Sequence, residues 1–182
     1  MTEVLYNYLK VNRYTAYFDT EAVTIFKANR EIYNTICGEN IFETLEGIFE
    51  HDDSDNVVKI ILTNSENQPT SIFVGYMETH AEIPYFESSY TCSSELRRGG
   101  VLLRFLGLLT ANKKNSSIRI MKGNIAGGIP TIRDSDSEEL KREKHNRLVQ
   151  YHLHLGATVV NDDFTYHLDK VEEIIPILFT VQ

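Results

Sequence analysis

Apolar and polar positions along the chain change period several times, and each change marks an element. Residues 4–11, Val-Leu-Tyr-Asn-Tyr-Leu-Lys-Val, read as an opening strand. From about residue 20 to 36, Ala22, Ile25, Phe26, Ile32, Tyr33 and Ile36 fall at spacings that share one helical face. A shorter helix over 41–50 turns Ile41, Leu45, Ile48 and Phe49 inward. Residues 57–63 are rich in β-branched side chains. The turn chemistry of Asn64-Ser65-Glu66-Asn67-Gln68-Pro69 then separates them from a second strand over 70–78, which predicts a hairpin. A third strand over 83–93 extends it.

The second half predicts an apolar helix over 101–111, a short strand over 116–121 and a long helix over 137–155. Ser137 followed by Glu138 and Glu139 suits a helix start, where a side-chain oxygen and negative charge meet the unpaired amides. Gly156 suits its stop. Two closing strands, 157–161 and 164–168, flank Asp162-Asp163. The tail over 172–182 is apolar enough to pack back on the body or to pair with a partner. Strand, two helices, three antiparallel strands, helix, strand, helix and two strands make an α+β order rather than a doubly wound one. With no internal repeat and no long linker, residues 1–182 are expected to form one domain.

Composition narrows the functional classes. The chain has 182 residues, 42% of them hydrophobic, and its 26 acidic against 18 basic side chains leave a net charge of −8. Such a balance argues against nucleic-acid binding, which needs a basic face, and suits a cationic ligand or simple solubility. Two cysteines, Cys37 and Cys92, make no disulfide framework, and no Cys/His spacing points to a metal. No apolar run approaches the ~20 residues of a membrane span. The first residues lack the basic flank and apolar core of a signal peptide, so the expected location is cytoplasmic.

One segment carries chemistry. In Thr91-Cys92-Ser93-Ser94-Glu95-Leu96-Arg97-Arg98-Gly99-Gly100-Val101-Leu102, a strand enters a basic, glycine-containing turn that opens into an apolar helix. The first helical turn has unpaired N–H groups and partial positive charge, and glycines let a ligand approach the backbone. Arg97 and Arg98 add full charges, so the turn suits a pyrophosphate or else is a solvated loop. It is neither a P-loop nor a dinucleotide fingerprint.

In this segment the chain resembles the GNAT superfamily of acyl-CoA-dependent N-acetyltransferases, whose cofactor turn runs Arg/Gln-x-x-Gly-x-Gly/Ala. Ile72-Phe73-Val74-Gly75-Tyr76-Met77 resembles that family's third strand, and Tyr151-His152-Leu153-His154-Leu155-Gly156 the end of its last helix. Two departures stand out. Leu102 replaces the last small residue of the turn, and the place of the family's tyrosine holds His152, with Tyr151 one position earlier. The loop over 123–136 is also longer than usual and is an alternative frame for the acceptor site.

The resemblance implies a mixed, mostly antiparallel central sheet flanked by helices on both faces. It further implies acetyl-CoA as acyl donor, an amine acceptor (small molecule or polyamine), no metal, and a monomer or homodimer. The amine attacks the thioester directly. Glu87 is the candidate base, and Tyr151 or His152 the candidate acid. Tyr90, Thr91, Cys92, Arg97, Arg98, Gly99, Gly100, Val101, Leu102 and Asn124 are the candidate cofactor contacts, largely through their backbone. Each has a structural alternative: an exposed strand carboxylate for Glu87, core packing for Tyr151, an inert cysteine for Cys92. Two other readings stay open, transfer to a peptide or protein amine and an inactive GNAT-like domain that binds acyl-CoA or a protein partner.

Overall fold

A computed structural model of the chain describes residues 2–51, 54–94, 99–125 and 136–181. Among them are seven helices and seven strands, in the order α1 (Glu3–Val11), β1 (Thr15–Phe18), α2 (Asp19–Ala28), α3 (Arg30–Cys37), α4 (Glu39–His51), β2 (Val57–Thr63), β3 (Pro69–Glu78), β4 (Tyr85–Ser93), α5 (Gly99–Lys114), β5 (Ile120–Asn124), α6 (Glu138–His154), β6 (Thr158–Val160), β7 (Asp163–His167) and α7 (Leu168–Phe179).

The strands form one open sheet in the order β1-β2-β3-β4-β5-β7-β6. All neighbours are antiparallel except β4 and β5, which run parallel. One face carries Val58, Ile60, Phe73, Phe86, Met121 and Tyr166 into a core shared with α1, α5 and α7. The other carries Val57, Ile61, Ile72 and Val74 against Ala22 and Phe26 of α2, Tyr33 of α3, and Leu45 and Phe49 of α4. The expected α+β class, with helices on both faces, is therefore the observed one.

Several elements differ from expectation. Residues 4–11 are a helix, not a strand. Leu5 and Leu9, four apart, are the buried pair, and Thr2 caps the start by accepting from the Leu5 amide at 3.4 Å. The edge strand is instead β1, only four residues long and paired with β2 from Thr15↔Thr63 to Phe18↔Ile60. The helix expected over 20–36 is broken at Asn29, whose side-chain amide donates to the Ile25 carbonyl at 2.9 Å. β5 begins later than expected, because Asn115 accepts from both the Ser117 amide and hydroxyl and holds that stretch as a turn. The tail forms α7, which buries Val171, Ile175 and Phe179 in this chain's own core, with the Phe179 ring set edge-on to Tyr8 at 4.9 Å.

The termini of α6 follow the expected chemistry. Ser137 accepts from the Leu140 amide at 3.2 Å, and Gly156 takes φ +81°, a conformation that costs most residues a steric penalty.

Candidate active site

The site begins with a local irregularity in β4. Val74 pairs with Tyr90, but its neighbour Gly75 pairs with Ser88, so Ser89 has no partner on β3 and β4 is bulged there. Glycine at 75 is required by space. A Cβ there would lie 2.3 Å from Phe86 Cζ and 2.6 Å from the Glu87 carbonyl oxygen. The bulge bends β4 away from β5 immediately after their only two register pairs, Phe86↔Met121 and Glu87↔Lys122. Because the two strands are parallel, both C-terminal ends diverge from the same point.

A cleft of about 800 Å³ occupies that divergence. Ile41, Thr44 and Ile48 of α4 wall it on one face of the sheet, with Tyr76 and Glu78 from the end of β3. The run Glu87, Ser88, Ser89, Tyr90, Thr91 and Cys92 forms its long side, and Asn124 closes the end of β5. Arg104 of α5 and Phe164 of β7 line it from the other helical layer. Five expected site residues, Glu87, Tyr90, Thr91, Cys92 and Asn124, are thus brought together. Asn124 is held there by donating to the Asp163 carboxylate at 2.8 Å.

The first turn of α5 adjoins the cleft. A Cβ on Gly100 would meet Arg104 Nη1 at 3.4 Å and Thr91 Cγ2 at 3.9 Å, so the helix start lies against β4. The side chains of Val101 and Leu102 turn away into the core. Gly99, Gly100, Val101 and Leu102 therefore have only backbone groups to offer a ligand. Arg97 and Arg98 lie outside the described residues.

The two candidate acids are placed differently. Tyr151 is 39% exposed on α6, whereas His152 is buried and stacked on Phe164 at 4.3 Å between ring centres, its Nδ1 2.9 Å from the Tyr166 hydroxyl. Neither lines the cleft. Burial, reinforced by the positive charge of Arg104, pushes the His152 pKa down to about 4. At neutral pH this imidazole has no proton to give beyond the one on its neutral ring, so its surroundings suit a packing role.

Arg104 is the residue that sequence reasoning passed over. Its guanidinium lies over the Phe164 ring, 5.6 Å from the centroid. Its Nε is fully enclosed and has no hydrogen-bond acceptor among the described residues. Burial lowers the Arg104 pKa, while Tyr166 and Tyr151 nearby act to raise it; an arginine nevertheless stays charged. The signal was present in the sequence, since Arg104 is the one charged residue in the apolar run over 101–109. Cys92 lies beside Cys37, and the interaction between the two thiols lowers the Cys92 pKa against the effect of burial and raises that of Cys37.

No protein-family model matches the chain, and no curated protein matches it in sequence. Solved structures do match it in shape. A mutant of the AtaT toxin bound to the C-terminus of the antitoxin AtaR superposes with a TM-score of 0.55 at 13% identity, over 89% of this chain and 98% of that one. The fold is that of the GNAT acetyltransferases. The aminoglycoside 6'-N-acetyltransferase from Enterococcus faecium gives a TM-score of 0.52 at 10% identity, over 85% of this chain and 96% of its own. The aminoglycoside N(6')-acetyltransferase from Legionella pneumophila gives 0.51 at 10% identity, over 88% and 95%. At such identities the likeness to these GNAT structures is one of fold. No helix among the described residues is long and apolar enough to cross a membrane, and no group of three or more potential metal ligands occurs among them.

Proposed function

We propose that the chain is an acyl-CoA-dependent N-acyltransferase that moves an acetyl group from acetyl-CoA to an amine. The observation that carries this reading is the parting of β4 from β5, which opens a cleft through a GNAT-like sheet beside the first described turn of α5. Donor and acceptor reach such a gap from opposite faces and meet at the backbone of β4.

In this reading the α5 amides, with Arg97 and Arg98, hold the pyrophosphate. Glu87 accepts a proton from the incoming ammonium, and the freed amine nitrogen attacks the thioester carbon. A β4 amide near Ser89–Tyr90 donates to the oxygen that becomes negative. The carbon–sulfur bond then breaks, and the nitrogen sheds its second proton. The departing thiolate takes up one proton through solvent, with Tyr151, outside the cleft lining, as the candidate acid at the far end of that relay. Glu78 and Glu87, the carboxylates that line the cleft among the described residues, favour a cationic small molecule or polyamine as acceptor.

Calorimetric titration of acetyl-CoA into the wild type and into Arg97→Glu/Arg98→Glu tests this directly. Micromolar binding that the double variant loses supports it, and thiol release with an amine panel then identifies the acceptor. A folded wild type that binds no acyl-CoA removes the reading.

A further inference from the structure

The cleft holds a cation with no ion-pair partner among the described residues. Arg104 takes part in none of the ion pairs of the described residues. Its Nε is enclosed without an acceptor among the described residues, and its guanidinium carbon lies 5.6 Å from the centre of the Phe164 ring. An unpaired charge in such a place costs stability, so a side chain of this kind is expected to meet an acceptor supplied from outside. Among the described residues that line the cleft, Arg104 is also the only lysine or arginine, while Glu78 and Glu87 are its charged groups of opposite sign.

The donor geometry of the guanidinium selects the anion. A guanidinium offers a flat fork of N–H donors that matches a carboxylate in two parallel hydrogen bonds. Phosphates are served elsewhere, by the α5 amides at the helix start. Arg104 lies one turn further in, beside the stacked rings of Phe164 and His152.

We propose that Arg104 is the carboxylate receptor of this cleft, so that one of the two substrates brings a carboxylate to it. This rests on the acyltransferase reading and deepens it. Two sources supply the same chemistry: a dicarboxylic acyl group on the donor, or an amino acid as acceptor.

The donor arm titrates succinyl-CoA and acetyl-CoA into the wild type and Arg104→Gln. The acceptor arm holds acetyl-CoA constant and compares kcat/KM for pooled amino acids with that for the matching decarboxylated amines. In one arm the wild type is expected to prefer the carboxylated member by at least about tenfold, the scale of a charge-assisted hydrogen bond. Arg104→Gln should abolish that preference and keep acetyl-CoA affinity within about twofold. Arg104→Lys, which retains the charge without the fork, should fall between them. Absence of preference in both arms overturns the proposal, as does a preference that survives Arg104→Gln. Equal weakening of both thioesters by Arg104→Gln also overturns it, because Arg104 would then serve the part they share. If neither thioester binds, the failure is that of the acyltransferase reading itself.

Discussion

Replacing His152 by Gln should change how stability responds to acid. The wild-type imidazole is buried against Phe164, beside Tyr166, with Arg104 near enough to oppose its protonation, and its pKa falls to about 4. Unfolded, the same group titrates near 6.5. Between these values the unfolded chain binds more protons than the folded one, so stability rises with pH. The contribution is intact above pH 6.5 and is lost as the pH falls toward 4. A gap of that size corresponds to about 3 kcal/mol in full, of which about 2 kcal/mol is lost between pH 7 and pH 5. Gln at 152 cannot titrate. It will lower stability at every pH by losing the ring stack, so only the slope is diagnostic. Urea denaturation of both proteins at pH 7, 6 and 5 measures it, because the remaining titratable groups are common to both. Parallel pH dependences would falsify the assignment of a neutral, enclosed histidine and return His152 to the list of proton donors.

The remaining predictions concern packing and reactivity. Gly75→Ala forces a methyl group onto the Phe86 ring and the Glu87 backbone; it should cost about 3 kcal/mol and lower Tm by about 10 °C. An unchanged Tm would mean that the bulge yields freely. Arg104→Met should raise the Tm of the ligand-free protein, by about 1 kcal/mol or more in stability, since it removes an enclosed charge that has no ion-pair partner among the described residues. A lower Tm would show that the guanidinium is already compensated. Iodoacetamide followed by peptide mapping should label Cys92 before Cys37, because the Cys37 hydrogen bond favours the Cys92 thiolate, and acetyl-CoA should slow that labelling. Earlier labelling of Cys37 contradicts the direction of that bond.

What could be read from the sequence depended on how local its cause was. The hairpin of β2 and β3, the capped helix α6 and the glycine stop at Gly156 each have their signal within a few residues, and each was legible. Residues 4–11 were misread because Val, Leu and Tyr fit both periods there, and only packing against α7 shows that Leu5 and Leu9 form the buried pair. β1 was passed over because four residues at a sheet edge make no pattern of their own. For the site, five of the expected residues, Glu87, Tyr90, Thr91, Cys92 and Asn124, lie on β4 and at the end of β5 and line one cleft. The wall from α4 and the part played by Phe164 depend on chain segments far apart in sequence. Arg104 was visible as an oddity, but that its Nε has no acceptor among the described residues is a three-dimensional fact.

The short parallel seam has a consequence for cooperativity. β1 to β4 are joined by long, continuous ladders, whereas β5, β7 and β6 attach to them through two residue pairs and the helices that span the junction. Such a sheet is expected to open in two sub-global units of unequal free energy. In native-state hydrogen exchange, β2 and β3 should form the slowest unit, with β5 and β7 exchanging as a separate and faster one. A substrate that bridges the gap would couple them, so its binding would be felt as protection far along β7 as well as in the cleft.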